Sequence, residues 1–364
     1  MRPNLFRRFK LVCIRQHYIP RFLLKGFASR EKNDEKYTYV FTKDAKAYET
    51  NIINIGIERY FYNSQNNHKT DDAVTVYEDK HVPFVSDLRT LNETTKVDSQ
   101  KSLAFIVHMF KRTKHTRESI AEFQKNAFNV IQNSFSSGAN SQQRFAHFLK
   151  TNRDDIAELM KEELSKQYWH LSSIQLDAQI QIQLGKIIKD PSQAPQEFFT
   201  FFQEVFNRLK NDAPEISKLG QNSALLNEKV KDNYFRLENS FEWRVFFSDS
   251  PNYILGDVGP IGRSKSENDY KTLIPKGQNL EEIVLPISDK HLLVGGYPKN
   301  FPSEYNANSI NKAIASLSKF FFVSTRNNEK IEELVSIIGS SADAFDDNDR
   351  TKMYHKIERE WFGK

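Results

Sequence analysis

Gln16-His17-Tyr18-Ile19-Pro20-Arg21-Phe22-Leu23-Leu24-Lys25-Gly26-Phe27-Ala28 is the stretch around which the rest of the chain is arranged. An ionisable histidine comes first, then a proline that stiffens the backbone, then apolar residues at helical spacing. Phe22, Leu23 and Phe27 fall near one face of a short helix over 21–28, and Gly26 reads as a position of close packing. A polar loop follows over 29–35. Tyr37-Thr38-Tyr39-Val40-Phe41 then has strand composition, with a turn at 43–46 and a hairpin partner over 47–51.

Farther along, residues 71–90 read as a helix broken or bent at Pro83, which lacks a backbone donor. From 98 to about 231 the character is helical. Leu103, Phe105, Ile106, Val107, Met109 and Phe110 make a dense apolar helix, continued by Ile120, Phe123, Phe128 and Ile131. Further helices are expected over 142–149, 153–168, 173–188 and 195–209, with breaks at 136–140, 189–192 and 211–214. Strand composition returns after Asn233, in 241–247, 253–255, 283–287 and 291–296, the last two turning through Ser288-Asp289-Lys290. Helical signals over 309–319 and 328–338 flank a short strand at 320–323.

The class this predicts is α+β: a mixed sheet built from the N- and C-terminal segments, with a large helical middle region. The organisation expected is an N-terminal α/β part over 1–97, a helical region over 98–231, a C-terminal β-rich part over 232–345 that completes the sheet, and a charged helical tail over 346–364.

Composition bounds the function. Hydrophobic residues make up 38% of the 364, yet 29 Phe and 14 Tyr supply enough ring area to fill a core. Cys13 is the one cysteine, so an internal disulfide and a Cys-based zinc site are excluded, which suits a reducing cytoplasm. Residues 1–14 lack the apolar core and cleavage site of a signal peptide, and no window approaches the ~20 apolar residues of a membrane span. The expected location is therefore cytoplasmic, with no membrane partner. A net charge of +5 permits nucleic acid as a partner without demanding it. Composition leaves the oligomeric state open.

The His17-Tyr18-x-Pro20-x-x-x-Leu24-x-x-Phe27 pattern resembles the opening signature of a bacterial family known as domain of unknown function 4238. Glu58-Arg59-Tyr60-Phe61-Tyr62 resembles the segment that family carries after its first hairpin, and Arg112 stands where it tends to carry an arginine after an apolar helix. Gly256-Asp257-Val258-Gly259-Pro260 is similar to its Ser-Asp-x-Pro element, with Gly256 where Ser is common and Gly259 as an extra step. Leu285-Pro286-Ile287-Ser288 is similar to its later Pro-Leu-Ser-Pro-like strand, with Ile for Leu and Asp289 for the last Pro. Some members are linked to defence against bacteriophage, so the resemblance implies that biological role. It implies no reaction.

Three residues are candidates for chemistry, each with a structural alternative. His17 is either a general base, general acid or metal ligand, or a buried anchor bonded to backbone carbonyls. Arg112 either binds phosphate or carboxylate, or pairs with Glu58 or Glu78. Asp257 either holds a metal such as Mg²⁺ or Mn²⁺ or positions a base, or caps backbone donors in an Asx-type turn. Lys111, Lys114, His115 and Arg117 add positive charge around Arg112, either as a contact for a phosphate backbone or as a solvated helix end. His108 reads as a packing residue. No phosphate-binding Gly-x4-Gly-Lys loop, Gly-x-Ser-x-Gly or His-Glu-x-x-His occurs, and Asp257 with Glu281 or Glu282 lacks the lysine spacing of a restriction-type nuclease. Two functions follow: an effector that cleaves nucleic acid, with His17, Arg112 and Asp257 converging, or a non-catalytic sensor that binds a phage or host component.

Overall fold

The early hairpin forms, and its short turn sets the pattern for the sheets. In the computed structural model, which describes residues 15–62, 69–136, 141–194, 196–226, 241–250, 253–264, 269–273, 280–343 and five positions of the tail, β3 (Glu35–Thr42) pairs with β4 (Ala45–Asn51). Before them lie β1 (Arg15–His17), α1 (Arg21–Leu24) and β2 (Arg30–Lys32); after them come β5 (Ile57–Arg59), α2 (Lys69–Leu88), β6 (Thr95–Val97) and α3 (Ser99–Arg112). The helical run continues as α4 (Lys114–Ser136), α5 (Ser141–Thr151), α6 (Arg153–Gln167), α7 (Ser173–Lys189) and α8 (Gln196–Leu226). The remainder is β7 (Glu242–Phe247), β8 (Leu255–Gly256), β9 (Ile261–Ser264), β10 (Lys271–Thr272), β11 (Leu280–Pro286), β12 (His291–Gly296), α9 (Ala307–Leu317), β13 (Phe321–Ser324) and α10 (Glu329–Glu332).

The α+β class holds, and sheet is assembled from both ends of the chain. β3 pairs with β13, which pairs with β8, and β6 pairs with β7. In place of one mixed sheet there are three, ordered β1-β5, β10-β9-β11-β12-β7-β6 and β2-β3-β13-β8 with β4 on β3. Every pairing among the described residues is antiparallel. Turns as short as Lys43-Asp44 and 287–290 permit nothing else between sequential strands, because a parallel pair needs a crossover of a dozen residues or more.

By contact the chain falls into two compact units, one comprising Met1–Ser119 and Ser217–Ala344, the other Ile120–Ile216 and Phe345–Lys364. In the first, Phe41 stacks on Phe322 across β3 and β13 at 4.9 Å between ring centroids, and β11 and β12 are buried along most of their length. In the second, a core of Phe145, Phe148, Phe198, Phe202 and Phe206 with Leu149, Leu176 and Leu184 shows where the phenylalanines are used. Phe145 meets the rings of Phe135, Phe198, Phe199 and Phe202.

Three helix features differ from expectation, and packing explains the run through Pro214 while a side-chain cap explains the stop at Thr113. The break expected at 211–214 is absent, since α8 runs through Pro214. Phe198, Phe202, Phe206, Ala213, Ser217, Gln221 and Leu225 are all buried and recur at helical spacing across the proline. That stripe outweighs the roughly 3 kcal/mol a mid-helix proline costs. Pro83 likewise lies inside α2, which is continuous. Conversely, the apolar helix expected to pass from Leu103 to Ile131 stops at Thr113, whose extended backbone and hydroxyl, accepting from the Thr116 N–H at 3.1 Å, start α4. Residues 1–14 and most of the charged tail lie outside the described residues.

Truncating Phe145 to alanine should lower unfolding stability by about 3–5 kcal/mol in denaturant titration, because four ring contacts are lost and a cavity is left.

Candidate functional site

The signature stretch is held by backbone, not by substrate-facing chemistry. Pro20 sits at the N-cap of α1, and Phe22, Leu23, Leu24 and Phe27 are buried. Gly26 is needed because a Cβ there would lie 2.4 Å from the Ile287 carbonyl oxygen. The Arg89 guanidinium donates to the carbonyls of Phe22 (2.9 Å), Leu23 (3.0 Å) and Ile287 (2.7 Å from Nε), tying α1 to the β11–β12 turn.

The His17 ring donates from Nδ1 to the Ile55 carbonyl at 3.1 Å; a carbonyl only accepts, so Nδ1 carries the proton. Burial holds this imidazole down at about 4, with the Ile55 hydrogen bond acting in the opposite sense. The residue's carbonyl is the busier group. It accepts from Arg112 Nη2 at 2.6 Å and from the Tyr62 hydroxyl at 3.0 Å.

Arg112 is 1% exposed, at the C-terminal end of α3. Its Nη1 donates to Glu78 Oε1 at 2.5 Å and lies 3.3 Å from His108 Nε2. Of the two acids considered as partners, Glu78 is the one; Glu58 instead takes Lys114 at 2.9 Å. Around this pair α2 contributes Tyr77 and His81, the His81 and His108 rings lying 5.4 Å apart and Tyr77 5.3 Å from His108. Burial and the Arg112 charge pull His81 down to about 4 and His108 well below its usual range, so both are neutral imidazoles near pH 7. Glu78 is one of the two acids the sequence offered to Arg112, whereas His81 was not singled out, though the signal existed. Tyr77, Glu78 and His81 share one helical face by their i, i+3 and i, i+4 spacing, as do His108 and Arg112.

Asp257 is fully buried in the same unit. Its two carboxylate oxygens accept from the backbone N–H groups of Lys319 (2.9 Å) and Phe320 (2.8 Å), fixing the turn between α9 and β13. Burial raises its carboxyl to about 7 against the pull of those donors. The side chains of His17 and Asp257 share no hydrogen bond among the described residues, so the sequence-predicted trio does not converge as one hydrogen-bonded set. Two of the three do meet, through a main-chain oxygen. Gly256, where the resemblance has a serine, has no room for one: a Cβ would fall 2.1 Å from Ser318 Oγ and 2.7 Å from Ile314 Cγ2.

At Asp257 the carboxylate is engaged as the cap of a turn. Both oxygens already accept backbone donors, and among the described residues no group of three or more His, Cys, Asp and Glu side chains is placed to hold a metal ion. The basic residues flanking Arg112 do not form one exposed face either. Arg117 donates to Gln221 (2.6 Å) and the Phe61 carbonyl (2.8 Å) and lies 3.5 Å over the Phe61 ring. His115 meets the Ala342 carbonyl at 3.0 Å, and Lys111 donates to the Ala224 carbonyl at 3.0 Å. Lys114 is half-buried, and its ammonium is shared by Glu58 and Glu118.

The signature, the Arg112 position and the Asp257 turn thus occupy one unit, and a family model described as "Protein of unknown function (DUF4238)" matches residues 15–343. The chain belongs to that family. No curated protein and no solved structure matches it. For this DUF4238 protein, no helix among the described residues is long and apolar enough to cross a membrane.

Two outcomes test this account. Arg112→Ala should cost about 3 kcal/mol or more in denaturant unfolding, because Glu78 and the His17 carbonyl lose their buried cation together. The folded imidazoles of His17, His81 and His115 titrate at about 4 against 6.5 when free, so the unfolded chain binds more protons between those values. Stability should therefore fall as pH drops from about 6.5 to 4. Asp257, raised from 3.8 to about 7, opposes this as a single group. His115→Gln should flatten the dependence of the thermal midpoint on pH across that window.

Proposed function

We propose that this protein serves bacterial antiphage defence as a sensor or interaction protein that binds a phage or host component. His17, Arg112 and Asp257 hold the scaffold in this reading. The observation that carries it is the surface at the α6–α7 connection, where Trp169 is 83% exposed and Ile174 is 82% exposed. Single exposed apolar side chains are ordinary, but tryptophan is among the side chains that carry most energy at the centres of protein interfaces, and here a bare isoleucine stands five residues from a bare tryptophan. Tyr168, beside them, is also exposed. The defence setting comes from the family resemblance.

A second reading, an effector that cleaves nucleic acid, is favoured by the pair of neutral imidazoles beside Arg112. An imidazole without a proton on one nitrogen can act as a general base, and a guanidinium can meet a phosphate where Glu78 now sits. Phage challenge of cells carrying the wild type, Trp169→Ala/Ile174→Ser or His81→Asn separates the two, together with cleavage assays on labelled transfer RNA, single-stranded RNA and DNA, with Mg²⁺, Mn²⁺ or chelator. The interaction reading expects the surface variant to fold and lose protection, with no cleavage by any form. Cleavage by the wild type that His81→Asn abolishes and the surface variant retains would replace it with the second reading.

A further inference from the structure

We infer that the first unit binds a small phosphate monoester, its phosphate held between the ammoniums of Lys114 and Lys319 where the Glu118 carboxylate now lies, with the Tyr18 hydroxyl as a third contact. This site is separate from the surface that carries the interaction reading. Three stretches that resemble elements of the family meet there: Tyr18 from the signature, Glu58 from the segment of β5, and Asp257. Lys114 opens α4, and its ammonium lies 2.9 Å from Glu58 and 3.7 Å from Glu118, one turn along the same helix. Lys319 reaches Glu118 at 3.0 Å from the turn between α9 and β13. Its main chain is fixed, because the buried Asp257 carboxylate accepts from the N–H groups of Lys319 and Phe320. The Lys114 and Lys319 ammoniums stand 5.0 and 5.8 Å from the centroid of the Phe320 ring. Two cations that converge on one ring thus share one carboxylate.

Ion pairs alone are an ordinary surface; Tyr18 is what points to a ligand. It is 6% exposed, its ring packs on Phe61 at 5.3 Å, and its hydroxyl has no hydrogen-bond partner among the described residues. A tyrosine so buried ordinarily finds one. Burial, and then the charges of Asp257, Glu58 and Glu118, push this phenol above its usual range, so the hydroxyl stays neutral beside those carboxylates and can donate. Glu118 therefore marks a place where an anionic group is accepted, and with its side chain 33% exposed it can swing out. A phosphate monoester brings about two charges and three acceptor oxygens to the same donors. The positive end of α4, which runs 23 residues from Lys114, adds to the attraction. Glu58 repels a long phosphate backbone, and Lys111, His115 and Arg117 are bonded elsewhere, so one terminal phosphate fits better than a nucleic acid.

The test titrates the full chain with methyl phosphate by calorimetry, with dimethyl phosphate and labelled single-stranded RNA as probes of diester binding. Methyl phosphate should bind, more weakly as salt is raised. Lys114→Met and Lys319→Met should each weaken it about tenfold or more, and Tyr18→Phe, which removes one hydroxyl and keeps the ring, about three- to tenfold. Glu118→Gln should tighten binding about threefold or more, because it withdraws the group that competes for the same donors. Glu122→Gln makes the same change of charge at an exposed position one turn farther along α4 and should leave the affinity unchanged. Circular dichroism and thermal midpoints check that the variants are folded, and the two glutamine variants, both at the surface, decide the matter even where another fails to fold. No binding of methyl phosphate by the wild type and Glu118→Gln, or equal affinities of the two glutamine variants, would overturn the proposal. Dimethyl phosphate or RNA binding that matches methyl phosphate and is lost with the lysines would overturn it in favour of a nucleic-acid contact.

Discussion

A guanidinium that is almost wholly out of water must be neutralised where it lies, and the answer to that demand organises the first unit of this protein. Arg112 draws Glu78 from α2, the His17 carbonyl from the signature stretch and the edge of His108 from its own helix. Tyr62 donates to the same carbonyl, so the segment after β5 joins the set. Removing an ion from water costs several kcal/mol, and the cost is offset only when geometry and remaining hydrogen bonds are good. Four separate stretches of chain are therefore fixed by one charge, and the histidine that opens the signature is placed by its main chain as much as by its ring.

Much of the fold was legible because its signals are local. The β-rich composition around Tyr39 and the Ser288-Asp289-Lys290 turn marked strands where β3, β11 and β12 lie, and the helical segment expected over 173–188 is α7 nearly to the residue. Pro214 misled because its effect is local while the stripe from Phe198 to Leu225 that overrides it spans the whole helix. At the candidate site the limit was of another kind. His17, Arg89 and Asp257 all bond to main-chain groups, and a backbone carbonyl or N–H leaves no letter in the sequence. Side-chain partners do leave one, which is why Glu78 was within reach of a guess and the Ile287 carbonyl was not.

The two units spend their residues in opposite ways. The first keeps ionisable groups inside and matches them with backbone. Histidines at 17, 81, 108 and 115 are held neutral by burial, and charge is admitted chiefly where a partner is already in place. The second fills its interior with phenylalanine and leaves Trp169 and Ile174 in water. A buried polar network tends to specify one conformation, whereas an exposed apolar edge gains by being covered. One interior is ordered by matched polar groups, the other by packed rings.

Gly256 and Ser318 share a space that holds one hydroxyl. With the serine at 318, its Oγ donates to the Ile314 carbonyl at 2.7 Å and closes the end of α9, leaving no room across the strand. A side chain at position 256 would have to displace both that hydroxyl and the Ile314 methyl, so the backbone of β8 lies against α9 as closely as it does because residue 256 is glycine. The hydroxyl beside the Asp257 turn is therefore carried by the helix and not by the strand.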